Sequence, residues 1–308
     1  VTGGTVTVDA GSSGTSDDAR AVQAEVLVGI SDGTIDADAA DDAIHSNSTV
    51  AIEGGTSTLA AGDDAVHGDL AVTIDGGTID VTESFEGIES EVITINDGSI
   101  DVTSSDDGLN VASADAATDD DTTQVAPGGV GGPAGGGPGA GGPGVGGPGA
   151  GDAAVGEHYI FINGGTIAIT VTGELAEQGD GIDANGHVQM TGGTVTVSGP
   201  TDTRNSAIDY SGGSFEVSGG TLIGTNIDGR NSEGVDASSA QASLYLTFGS
   251  VIDAGTPIQI QSSSGEVLID FQPANEFDVV VFTSPALASG ESYEVLLGGA
   301  SAGTVTAS

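Results

Sequence analysis

The chain has no cysteine, no tryptophan and no lysine, and its 308 residues carry only three strong cations, Arg20, Arg204 and Arg230. The missing cysteines exclude a disulfide scaffold and any thiolate-held zinc or iron–sulfur site. So few cations exclude a nucleic-acid surface, which grips phosphate with clustered Lys and Arg. No apolar run approaches the roughly 18 residues of a membrane-spanning helix. Against these absences stand 46 acidic residues, 54 glycines and a formal charge of −43. A carboxylate surplus repels itself in dilute buffer and is tolerated where cations abound, which points to a saline or calcium-rich extracellular setting. Such charge alone would suggest disorder, so the 37% of hydrophobic residues must be placed with regularity for a core to form.

Regularity is present as an internal repeat. A Gly-Gly-Thr triplet or near variant begins at Gly3, Asp32, Gly54, Gly76, Asp97, Gly164, Gly192 and Gly219, with clean intervals of 22, 22 and 21 residues from Asp32 to Asp97. A second motif, small–aliphatic–polar, travels with it: Ala21-Val22-Gln23, Ala43-Ile44-His45, Ala65-Val66-His67, Gly87-Ile88-Glu89, Gly108-Leu109-Asn110, Gly181-Ile182-Asp183, Ala207-Ile208-Asp209 and Gly234-Val235-Asp236. Between them run alternating segments such as Val72-Thr73-Ile74 and Val92-Ile93-Thr94-Ile95. Three strands of about five residues and turns of about two add to roughly 21. A chain of hairpins would repeat every 8–12 residues instead. The expected fold is therefore all-β, a parallel β-helix of about 22 residues per coil, right-handed by the general rule for parallel crossovers. In each coil the small residue is expected at a corner, with glycine chosen for its dihedral freedom.

The aliphatic residue of the motif points inward, so its flanking polar positions are expected to line the outside of one corner. Stacking coils about 4.8 Å apart turns these positions into files. One runs Arg20, Asp42, Asp64, Glu86, Asp107, Asp180, Ser206 and Glu233, with Asp41, Asp63 and Asp106 just before it. The other runs Gln23, His45, His67, Glu89, Asn110, Asp183, Asp209 and Asp236. Two unit charges at this spacing repel by about 1 kcal/mol in water and about 3.5 at an effective dielectric of 20. Only Arg20 can help from within. Hard divalent cations suit clustered oxygens, so calcium is the expected metal, with magnesium second. The expected ligands are Asp41, Asp42, Asp63, Asp64, Glu86, Glu89, Asp106, Asp107, Asn110, Asp180 and Asp183. The competing reading is that turn-preferring Asp and Asn are merely screened by solvent and salt. His45 and His67 stack in consecutive coils and read as hydrogen-bonded surface groups before they read as ligands of a softer metal.

Four segments follow: first coils over 1–110, an insert over 111–157, further coils over 158–240, and a terminal unit over 241–308. The insert is Asp/Thr-rich and then Gly/Pro-rich, with Pro133, Pro138, Pro143 and Pro148 five residues apart rather than at collagen's three. The terminal unit has longer alternating runs, such as Leu244–Phe248 and Val279–Phe282, and is expected to form an antiparallel cap.

Asp41-Asp42-Ala43-Ile44-His45, Phe85-Glu86-Gly87-Ile88-Glu89, Asp106-Asp107-Gly108-Leu109-Asn110, the Gly/Pro insert, Asp180-Gly181-Ile182-Asp183 and the terminal Ser284-Pro285 to Gly298-Gly299 together resemble the carbohydrate-binding-domain proteins of microbial cell surfaces. That resemblance implies a right-handed parallel β-helix similar to polysaccharide lyases, calcium binding, and association with cellulose or pectic polysaccharides. The functional expectation is a non-catalytic, extracellular, cell-surface polysaccharide binder in which calcium bridges protein and uronate carboxylates. Phe85, Tyr159 and Tyr210 are the few aromatic candidates outside the terminal unit, and packing is expected of each. The alternative is a self-assembling filament or adhesin, a homo-oligomer joined through the first coil and the insert. A calcium-dependent lyase is a third reading, disfavoured by the shortage of a cationic base.

Overall fold

The repeat folds as three short strands separated by corners, each strand landing in register on its counterpart one coil away. One coil contributes Ile44–Ser46, Thr49–Ile52 and Thr56–Ala61. The next contributes Val66–Gly68, Ala71–Ile74 and Thr78–Glu83, with Ile44 opposite Val66, Val50 opposite Val72 and Thr56 opposite Thr78, all parallel. The strands are three, four and six residues long rather than uniformly near five. The computed structural model describes residues 1–11, 19–112, 158–172, 179–210, 213–229 and 233–308. The Gly/Pro insert and Arg230 lie outside these. Among the described residues there is no helix, and none long and apolar enough to cross a membrane.

Three parallel sheets result. The first has ten strands, of which those from Thr2–Ala10 to Thr221–Asn226 are parallel. The second runs in seven strands from Val22–Ala24 to Ile208–Asp209, and the third in seven from Leu27–Ile30 to Ser214–Val217. The strands of the third sheet alternate in burial. Val72 and Ile74 are fully buried while Ala71 and Thr73, which alternate with them, are not. The motif aliphatics Ile44, Val66, Ile88, Leu109, Ile182 and Ile208 form a file with no exposed surface inside one continuous core. The small–aliphatic–polar motif thus supplies the second sheet. Its last copy, Glu233 to Asp236, forms no strand.

Glycine does two different jobs, and the expectation of dihedral freedom holds at only one corner. In the Gly-Gly-Thr turns the residue before Thr or Ser has positive φ, 88° at Gly55, 94° at Gly77 and 117° at Gly98, the left-handed region that an L side chain avoids. The motif glycines Gly87, Gly108 and Gly181 have no such φ. They are glycines for want of room: a Cβ on Gly108 would lie 2.4 Å from Ile169 Cγ2 and 2.5 Å from the Gly181 carbonyl oxygen.

At another corner the coils are tied by an amide ladder. Asn96 Nδ2 donates to Asp75 Oδ1 at 2.7 Å, Asn163 Nδ2 to Asn96 Oδ1 at 2.9 Å, and Thr191 Oγ1 to Asn163 Oδ1 at 2.8 Å. Beyond the coils the terminal unit continues the first sheet with two antiparallel strands, Phe277–Thr283 and Ser243–Ile252, covering its edge. A separate antiparallel sheet, in the order Val267–Phe271, Ile258–Gln261, Ser292–Leu297 and Ala300–Thr306, packs on a second core that includes Phe277, Phe282 and Tyr293. Asn275 Nδ2 pins this unit to the coils by donating to the carbonyls of Val171 at 2.6 Å and Gly199 at 2.9 Å.

Candidate metal centre

The acid files converge where the chain enters the second sheet. The residue before the small position and the residue after the aliphatic meet across this corner in two successive coils, Asp42 with His45 and Asp64 with His67. The expectation that they line an open surface is corrected by their burial. Asp42, Asp64, Asp107 and Asp180 are 2, 3, 8 and 7% exposed, and His45, Glu89 and Asn110 are 4, 8 and 7% exposed. Neighbouring coils shield each side chain from above and below. Asp63 remains exposed, and Asp41, Glu86, Asp106 and Asp183 are intermediate.

The buried acids have a structural duty. Asp42 Oδ1 accepts the backbone N–H of Asp64 at 3.2 Å, Asp107 Oδ1 accepts that of Asp180 at 2.5 Å, and Asp180 Oδ1 accepts that of Ser206. Each acid thereby satisfies an amide of the next coil that the narrow corner would otherwise leave unpaired. Ser206, which interrupts the acid file, turns its hydroxyl to the Ile208 carbonyl at 2.5 Å. The pattern fails at Asp64, whose Oδ1 is buried without a partner, as is Asn110 Oδ1.

The ladder divides by its cations. At the early end Arg20 Nε lies 2.8 Å from Asp41 Oδ2 and 3.0 Å from Asp42 Oδ2, so Arg20 does terminate the acid file. His45 Nδ1 lies 2.6 Å from Asp42 Oδ2, and His67 Nδ1 lies 2.5 Å from Asp64 Oδ2 and 3.0 Å from Glu89 Oε2. Burial pulls the His67 imidazole down, but its hydrogen bonds to Asp64 and Glu89 outweigh this and raise its pKa to about 11. Glu89 is lowered because the bonds to His67 and Asp64 overcome its desolvation. These histidines, expected at the surface, are buried or half-buried parts of the ladder. Replacing Arg20 with alanine should lower stability by about 1–2 kcal/mol at neutral pH, between the limits for exposed and buried pairs. A urea unfolding series on the wild type and the variant measures this, and an unchanged midpoint would show that the pair contributes nothing.

Further along, the same positions hold acids against acids. Glu86, Asp106 and Asp107 each bring a carboxylate oxygen within 4.8 Å of the others, as Asp41, Asp42 and Asp63 do at the early end beside Arg20. Burial, followed by the charges of Asp183, Glu86, Asp106 and Asp180, holds the Asp107 carboxyl well above its usual range. Asp180 and Glu86 are raised likewise, each by burial first and a neighbouring carboxylate second. Burial and Asp209 push Asp183 up to about 7, and burial and Asp42 push Asp63 up to about 6. Asn110 donates its amide to Glu86 Oε2 at 3.0 Å, which leaves its buried carbonyl oxygen as a further donor atom. An all-oxygen set of carboxylates and an amide carbonyl suits a hard divalent ion.

Aromatic side chains add little at this corner. Phe85 is 41% exposed rather than packed. Tyr210 is half-buried and donates its hydroxyl to the Gly234 carbonyl at 3.3 Å. On the third sheet Tyr159 stacks on Phe161 with centroids 5.3 Å apart and lies tilted against His187 of the next coil at 5.3 Å. Phe161 was legible only as the alternate residue of a Tyr-Ile-Phe-Ile strand.

This geometry defines a parallel β-solenoid with a buried acidic stack at one corner. A family model described as carbohydrate-binding domain-containing protein matches residues 1–65 and 52–132, a stretch that contains the ladder from Arg20 to Asn110. No curated protein and no solved structure matches the chain.

Proposed function

We propose that this is an extracellular, non-catalytic polysaccharide-binding β-helix whose acidic corner binds calcium, and that the bound ions carry the contact with uronate groups of the glycan. The observation that carries the reading is the group Glu86, Asp107, Asn110, Asp180 and Asp183. Four carboxylates there are raised by burial and by neighbouring carboxylates, and a buried amide oxygen lacks a donor. Calcium would be held by these residues with Asp106, and by Asp41, Asp42 and Asp63 at the early end. It would supply the positive charge that lets a chain of net charge −43 approach an anionic polymer. Matching of residues 1–132 by a carbohydrate-binding family model supports the choice of glycan as partner.

The test is co-sedimentation with calcium polygalacturonate, and separately with cellulose, before and after chelation at constant ionic strength. Binding to the uronate polymer should fall at least tenfold on chelation. The substitution Asp183→Asn, which keeps the size of the side chain, should weaken it. Equal retention with and without calcium would remove the ion from the contact, and unsaturated products released from the polymer would overturn the non-catalytic reading.

A further inference from the structure

The early half of the ladder differs in chemistry from the rest, because two imidazoles enter it. We propose that His45 and His67, with Asp42, Asp64 and Glu89, form a second metal site for a borderline divalent ion of the zinc class, distinct from the all-oxygen group around Glu86 and Asp107 and sharing only Asp42 with the early oxygen group. The two histidines are in register on adjacent strands of the second sheet, and their rings stack with centroids 4.9 Å apart at 28°. Each points Nδ1 at the acid three residues before it, Asp42 for His45 and Asp64 for His67.

The opposite nitrogens also face oxygens. His67 Nε2 is 3.3 Å from Asp69 Oδ1, and His45 Nε2 is 3.1 Å from Asn47 Oδ1. A neutral imidazole has one N–H and one lone pair, so a ring with an acceptor at both nitrogens takes up a second positive centre at one of them, either a proton or a metal ion. Protons on both rings would supply it twice at close range, with the carboxylates of Asp42, Asp64 and Glu89 offsetting the repulsion. A metal ion coordinated by one nitrogen of each ring supplies it once, with the remaining N–H of each ring bonded to a carboxylate or amide oxygen, the usual arrangement around ligating histidines.

An independent observation points the same way. Asp64 is 3% exposed, yet its Oδ1 has no hydrogen-bond partner. That oxygen is open to a cation beside the carboxyl group of Glu89. Ligand atoms of Asp42, His45 and His67 lie within 4.8 Å of one another, and so do those of Asp64, His67 and Glu89, the two groups sharing His67. Two nitrogens with carboxylate oxygens favour zinc-class ions over calcium, which selects oxygen alone.

The experiment uses the full chain, stripped of metal and then returned to millimolar calcium. Zinc is titrated calorimetrically, and cobalt replaces it for visible absorption. One equivalent of zinc should bind despite the calcium excess, and the cobalt form should show ligand-field bands typical of nitrogen coordination. The double variant His45→Asn with His67→Asn should weaken zinc at least 100-fold while keeping the calcium-dependent rise in melting temperature, which reports an intact fold and an intact oxygen site. Absence of zinc binding in millimolar calcium would overturn the proposal. So would zinc affinity unchanged in the double variant. Should that variant fail to fold, X-ray absorption of the zinc-loaded wild type decides: imidazole scattering supports the site, and an all-oxygen shell rejects it.

Discussion

Stripped of divalent ions, the protein will melt at falling temperatures as pH rises from about 4 to 8, and millimolar calcium will abolish or reverse that trend. The direction follows from the raised carboxyls. Asp183 moves from an ordinary 3.8 to about 7 and Asp63 to about 6, while Asp64, Glu86, Asp107 and Asp180 lie well above their usual range, in each case with burial as the first cause. The folded state holds protons there that the unfolded state has released. Each such group contributes stability that is complete below its unfolded pKa and is lost as pH climbs through the folded value. His67 acts in the same direction over a higher window, since its contribution declines only above 6.5 and toward about 11. Glu89 opposes them, because its lowered pKa contributes stability above the ordinary carboxylate range.

A displacement of about 3 pKa units is worth about 4 kcal/mol, or on the order of 5–10 °C in a chain of this size. Calcium competes with those protons for the same oxygens, so its apparent affinity grows as they leave. At 100 to 1,000 times its dissociation constant it would add roughly 3–4 kcal/mol. Scanning calorimetry at pH 4, 6 and 8, with calcium and with chelator, reads both effects. A metal-free melting temperature that is level or rises across that range would mean the ladder is ionised and already satisfied, and the calcium reading would fail with it.

What the sequence revealed was whatever repeats in steps of one coil. The 22-residue interval gave the solenoid, and the inward file from Ile44 to Ile208 gave the core, because a parallel stack forces equivalent residues into register. The acid ladder was visible for the same reason. Its burial was not, since that depends on how narrow the second sheet is, and the three-residue strands emerged only in the fold. The histidines show the same limit: their interval of 22 was plain, but their pairing with Asp42 and Asp64 requires knowing that residues i and i+3 meet across the corner. The final motif copy misled in the other direction, because Glu233 to Asp236 has the right residues without forming a strand of the second sheet. Instead Glu233 Oε2 accepts the backbone N–H of Tyr210 at 3.2 Å.

Gly181→Ala should be among the most damaging single-methyl additions the chain can receive. A Cβ there would lie 2.2 Å from Val197 Cγ1 and 2.6 Å from the Ala207 carbonyl oxygen. Backbone and core are thus struck together, and overpacking of this kind costs about 2–3 kcal/mol. The adjacent coil shows how the conflict can be resolved. Ala207 occupies the equivalent corner, and the residue paired with Val197 in the following strand is Gly224, where a Cβ would lie 2.8 Å from the Ala207 Cβ. Corner and strand therefore trade volume: small against large in one coil, larger against none in the next. The double substitution Gly181→Ala with Val197→Gly copies that second arrangement. Val197→Gly alone should cost about 2–4 kcal/mol through its cavity and its backbone entropy. In urea unfolding the double variant should be more stable than the sum of the two losses by about 1 kcal/mol or more, a coupling that only contacting residues show. Recovery will be incomplete, because the Ala207 carbonyl still faces the new methyl. If Gly181→Ala unfolds within about 0.5 kcal/mol of wild type, the coils can part without penalty and the explanation of these corner glycines by space is wrong.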